Sequence, residues 1–172
     1  MSLRADLKTS LAAFDGRALT ILSEAAARCQ NQPTYLDALI ALISDDQAHL
    51  ADGVTWMVKD YLESGSTLTP PQITALVAQA STTTWAAQLH VCQSVRFLNV
   101  TEEQAAAFVA WLTPLLTHQK PFIRAWSVDA LCAIANSHAA YLNVASKALT
   151  TAAKDPAASV KARARNIELK AG

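Results

Sequence analysis

Three pairs of side chains in this sequence stand three residues apart and mix ring, amide and charge: His90 with Gln93, Trp126 with Asp129, and Arg163 with Asn166. His90 and Trp126 are 36 residues apart, and Trp126 and Arg163 are 37 apart. A rigid aromatic flanked by polar groups is a common anchor for a binding partner. These six residues are therefore read as one polar-aromatic stripe, with Gly53 and Trp56 as its counterparts upstream.

Other chemistry finds less support. His49, His90, His118 and His138 are scattered, and no two fall at the i, i+4 spacing that sets ligands on one helix face. Cys29, Cys92 and Cys132 are far apart and lie in apolar patterns, so no cysteine pair has zinc spacing and no metal is expected. A thiol in an apolar stripe is usually inert, although a Cys–His pair can assemble in space from distant positions. The carboxylate pairs Asp45-Asp46 and Glu102-Glu103 each precede a helical pattern, where they complement the helix dipole. Four isolated glycines make no phosphate-cradling loop, and no cofactor is expected.

The elements that must position the stripe are helices. The chain has 172 residues, of which 52% are hydrophobic and 16% charged, and it contains 35 alanines. Alanine is the strongest helix former, and no stretch alternates like a strand. One domain spanning residues 1–172 is expected. Fourteen basic residues balance fourteen acidic ones, so the basic excess of a nucleic-acid binder is missing. Three unclustered cysteines fit a reducing compartment, which points to the cytoplasm. No apolar run approaches ~18 residues, so no membrane span is expected, and the N-terminus lacks a signal-peptide layout.

Read along the chain, helical stripes follow one another. Leu3, Leu7 and Leu11 open the first, and Arg17 to Gln30 holds the second. Thr34 is placed to cap a third, and Ser44-Asp45-Asp46 to cap a fourth, which Gly65 closes. Thr69-Pro70-Pro71-Gln72 and Thr101-Glu102-Glu103-Gln104 are capping boxes. A break at Ser81 to Thr84 precedes a helix over Trp85 to Leu98. Phe108, Trp111, Leu112, Leu115 and Leu116 then form one apolar face, with Pro114 inside it as a kink. Pro121 opens the next helix, striped by Ile123, Ser127, Leu131 and Ile134. Tyr141, Leu142, Ala145, Leu149 and Ala152 stripe another, and the last is expected over Ala157 to Lys170.

Superposing the second helices of the last three hairpins aligns Gln88, Arg124 and Lys161. A period near 36 lies in the range of helical-hairpin repeats. Here the chain resembles a HEAT-repeat protein. Trp111 to Leu116 with Pro114 looks like a kinked first helix, and Phe122-Ile123-Arg124-Ala125-Trp126-Ser127 like a second. Asp155-Pro156 through Val160-Lys161-Ala162-Arg163-Ala164 is similar to the Asp-Pro…Val-Lys pattern of that family. The resemblance covers the C-terminal half best. It implies an all-α, right-handed α-α superhelix, a HEAT/ARM-like solenoid of about five hairpins with the second helices lining its concave side. The slot of Arg124 and Lys161 is a candidate for an acidic ligand, whereas the resemblance implies that it bonds within and between repeats.

The function expected on this reading is a non-catalytic scaffold or adapter that binds a protein or peptide along the concave face. The alternative is a HEAT-like DNA-binding enzyme of the alkylated-base glycosylase type, with Trp126 and Asp129 as an aromatic-plus-acid pocket. Arg124, Lys161, Arg163 and Arg165 would then supply its positive channel. A metal hydroxylase on such a scaffold needs repeated His-Glu pairs, and no His-Glu dipeptide is present.

Overall fold

The computed structural model describes residues 2–47, 49–81 and 83–170, and among these every regular element is helical. Thr82, in the break expected between two helices, lies outside the described residues. The chain divides into two compact units, Met1–Val91 and Cys92–Gly172.

The first unit holds α1 (Leu3–Leu11), α2 (Leu19–Cys29), α3 (Tyr35–Leu42), α4 (Leu50–Glu63), α5 (Pro70–Ala80) and the first turns of α6 (Trp85–Ser94). α1 packs on α2 and α3, α3 on α4 and α5, and α4 on α2. Leu7, Leu22, Leu39, Val54 and Ile73 are wholly buried there or nearly so. Gly53 lets α4 approach its neighbours: a β-carbon built on it would lie 3.0 Å from Leu22 and from Phe14. Gly65 ends α4 with φ at 93°, where its N–H reaches the Leu62 carbonyl and the Ser66 N–H reaches that of Tyr61. That pair of bonds is a Schellman closure, and glycine enters the left-handed region it needs without a β-carbon clash. At α5, the Thr69 N–H donates to Gln72 Oε1 at 2.9 Å, as the capping-box spacing predicts.

Two expected caps form differently. Thr34 occupies the N-cap position of α3, but its hydroxyl makes no capping bond. Asp45 does not cap α4. It accepts from the Gln47 N–H and pairs with Lys8 at 2.7 Å, while His49, with φ at 62°, turns the chain into α4.

The second unit contains the rest of α6, a 3-10 turn at Val95–Phe97, α7 (Glu102–Leu115), α8 (Pro121–Ser137), a 3-10 turn at Ala139–Tyr141, α9 (Leu142–Ala152) and α10 (Ala158–Arg165). The helix expected to run to Leu98 thus stays α-helical only to Ser94. Thr101 and Gln104 cap α7 reciprocally, at 3.0 and 3.3 Å. Phe108, Trp111, Leu112 and Leu115 are buried on one face, as their spacing predicts.

α8 is the centre of this unit, because α7, α9, α10 and both 3-10 turns pack against it. Ten of its seventeen residues are buried, among them Ile123, Leu131 and Ile134. A helix covered on most sides needs no single apolar stripe, and α8 is buried well beyond the face first read from Ile123, Ser127, Leu131 and Ile134. α9 departs in the other direction: only Ala145 and Ala152 of its expected stripe are buried. The last helix is shorter than its composition implies. It ends at Arg165, and residues 167–170 leave the helix to follow a different set of partners.

Candidate functional site

One face of α8 carries Trp126, Asp129, Ala133 and Asn136, at i, i+3, i+7 and i+10. Asp129 is 5% exposed. Its carboxylate lies between two guanidinium groups, Arg96 Nη2 at 3.6 Å from the 3-10 turn and Arg163 Nη1 at 3.5 Å from α10. Arg163 also lies over the Trp126 ring, its Cζ 3.7 Å from the centroid, in cation–π geometry. Of the six residues read from the sequence, Trp126, Asp129, Arg163 and Asn166 therefore gather in one place. Asn166 caps the end of α10 and donates to the Ala162 carbonyl at 3.1 Å.

Below this cluster is a cleft of about 250 Å³, lined by Asp129, Cys132 and Asn136 of α8, by Arg96, and by Asn166, Ile167 and Glu168 after α10. Asn136 reaches across to the chain that follows α10. Its Nδ2 donates to the Glu168 carbonyl at 2.9 Å, and its Oδ1 accepts from the Lys170 N–H at 2.8 Å. A C=O and an N–H two residues on point to the same side of an extended chain, as they do at a strand edge. One carboxamide thus grips main chain on both sides of Leu169. Beyond the end of the last helix, the backbone groups of Glu168 and Lys170 are thus taken by a side chain of α8.

The sequence reading missed Asn136 and Arg96. Asn136 lies ten residues beyond Trp126 on the same face, a signal that helical periodicity carries. Arg96 had none, because its partner lies 33 residues away.

Gln93 and His90 complete the six residues read from the sequence. Gln93, in α6, is half-buried. His90 belongs to the first unit, where its Nδ1 meets the Thr55 hydroxyl at 3.1 Å. That hydroxyl gives its single proton to the Ala51 carbonyl at 2.7 Å, so His90 donates to it through Nδ1–H. Burial first, then the nearby Lys59, lowers the imidazole pKa from 6.5 to about 4, so the ring is neutral at pH 7.

The Arg124 slot is occupied by structure. Arg124 Nε and Nη2 meet both oxygens of Asp155 at 2.7 and 2.8 Å, and Nη1 donates to the His118 carbonyl at 2.8 Å. Asp155 Oδ1 also accepts from the Ala157 N–H, which sets up the start of α10.

The three cysteines are buried as free thiols. Burial raises the Cys92 pKa and pushes that of Cys132 up to about 11, with Asp129 adding to both, so neither is a ready nucleophile. Among the described residues no cluster of His, Cys, Asp or Glu could hold a metal ion, and no helix is long and apolar enough to cross a membrane. Compared with known proteins, the chain matches no family model, no curated sequence and no solved structure.

Proposed function

We propose that this chain is a non-catalytic interaction module of the HEAT-like helical-repeat type, a scaffold that holds an extended segment of a partner protein against the polar face of α8. The observation that carries the reading is the two-point grip of Asn136 on main chain at Glu168 and Lys170. A surface that satisfies a polypeptide's N–H and C=O while offering an aromatic and charged rim has the parts a peptide groove needs. The repeat reading is supported by polar bridges that span about one hairpin. Arg124–Asp155 spans 31 residues, Arg163–Asp129 34, Thr55–His90 35 and His138–Val100 38.

The nucleic-acid alternative asks Trp126 and Asp129 to receive a base. Arg163 covers the first and, with Arg96, neutralises the second, so the binding module is the better reading.

The test is an array of immobilised peptides probed with the full chain and with Asn136→Leu, a swap of similar volume without the carboxamide. The module reading expects peptides retained by the wild type and released by the variant. A folded wild-type protein that retains no peptide, yet retards duplex DNA at low salt, would overturn it in favour of the alternative.

A further inference from the structure

We infer that residues 167–170 are the resident ligand of the α8 face, and that the partner segment replacing them is an extended peptide with an acidic residue at the position of Glu168. The inference rests on the peptide-binding reading and names the ligand class for that site.

Two observations carry it. The first is the seating of the segment: Ile167 and Glu168 line the cleft, and the main chain on either side of Leu169 is held by Asn136. The second is charge. Two guanidinium groups, Arg96 and Arg163, face one buried carboxylate, Asp129, so the cluster carries one surplus positive charge. Arg163 is committed to Trp126 as well, whereas Arg96 is 46% exposed beside the cleft that Glu168 also lines. Glu168 is itself exposed on the rim of that cleft, so a carboxylate there meets the surplus charge across solvent, and complementarity of this kind selects partners more than it adds affinity. A lysine or a neutral side chain there leaves it unanswered.

A seated resident lowers the apparent affinity for any competitor by the fraction of molecules whose site is open. Loosening the segment must therefore strengthen binding in trans. Lys170→Pro does this in the full chain, because proline removes the N–H that Asn136 accepts. Leu169→Gly, which frees the backbone between the two groups that Asn136 holds, is the second loosened variant, should the first fail to fold.

The experiment titrates a capped synthetic peptide with the sequence of residues 166–170 into each full-length protein labelled with nitrogen-15, following the Asn136 side-chain amide signals. The expected result is a saturable shift in Lys170→Pro and about ten-fold weaker binding to the wild type. A peptide with glutamine in place of the acidic residue is expected to bind the loosened protein several-fold more weakly. The inference is overturned if neither variant shows a saturable shift at millimolar peptide, or if wild type and variants bind equally. It is also overturned if the glutamine peptide matches the glutamate one. Should array peptides still depend on Asn136 while this peptide fails, the ligand class falls and the broader reading stands.

Discussion

Arg124 and Asp155 are joined by two parallel hydrogen bonds, Nε to Oδ2 at 2.7 Å and Nη2 to Oδ1 at 2.8 Å, which tie the first turn of α8 to the loop before α10. Both side chains are mostly covered, at 17% and 12% exposed. Asp155→Ala is expected to cost about 1–3 kcal/mol, because it leaves the guanidinium fork and the Ala157 N–H without their acceptor. Arg124→Lys should recover less than half of that, since an ammonium cannot match both oxygens. Urea midpoints of the three proteins decide the order.

The same pair fixes a pH dependence. The Arg124 guanidinium beside Asp155 holds its carboxyl below the ordinary 3.8. The folded form therefore binds the proton less readily than the unfolded one, and the stabilisation is present above that ordinary value. It fades as pH falls through the lower folded value. The gap in urea midpoint between wild type and Asp155→Asn should be largest at neutral pH and shrink toward pH ~3.

His90 acts at higher pH. Its imidazole titrates near 4 in the fold and near 6.5 when unfolded. Between those values the unfolded chain takes up a proton that the folded one refuses, so acidification from 7 toward 4 removes on the order of 2 kcal/mol. Melting temperatures at pH 7 and pH 4.5 should show the loss in the wild type. His90→Gln, which cannot charge, should show a smaller one.

Leu131 is fully buried in α8, and Phe122, the second residue of the same helix, is 59% exposed. Leu131→Ala should cost ~2–5 kcal/mol, and Phe122→Ala less than about 0.5 kcal/mol. Equal effects in denaturant melts would mean the helix faces are misassigned.

Asp129 couples Arg96 and Arg163. Asp129→Ala leaves two guanidinium groups facing one another over a buried position, at an expected cost of about 1–3 kcal/mol. Combined with Arg163→Ala, the cost should fall short of the sum by about 0.5 kcal/mol or more, because the second change relieves the repulsion left by the first. Strict additivity would show that the groups do not interact.

Much of this was legible in the sequence wherever the signal is local. Phe108, Trp111, Leu112 and Leu115 share a face because a helix turns every 3.6 residues, and Thr101 with Gln104 is a cap that needs no other part of the chain. What the sequence hid depends on partners about a hairpin away. Alanine and arginine around Ala162 to Arg165 favour helix onward to Lys170, yet the helix ends at Arg165 and the main chain at Lys170 bonds instead to Asn136, 34 residues earlier. Asp45 reads as a cap until Lys8 is seen beside it. Trp126 and Asp129 were found as a pair, but the arginines that engage them come from two other elements.

Crowding around α8 leaves its sequence little room to drift. Most of its positions answer to a neighbour, and Trp126, Ala133 and Asn136 are among the few that touch water. Divergent copies of such a protein could exchange those side chains and acquire new tastes in ligand while the rod beneath them keeps its shape.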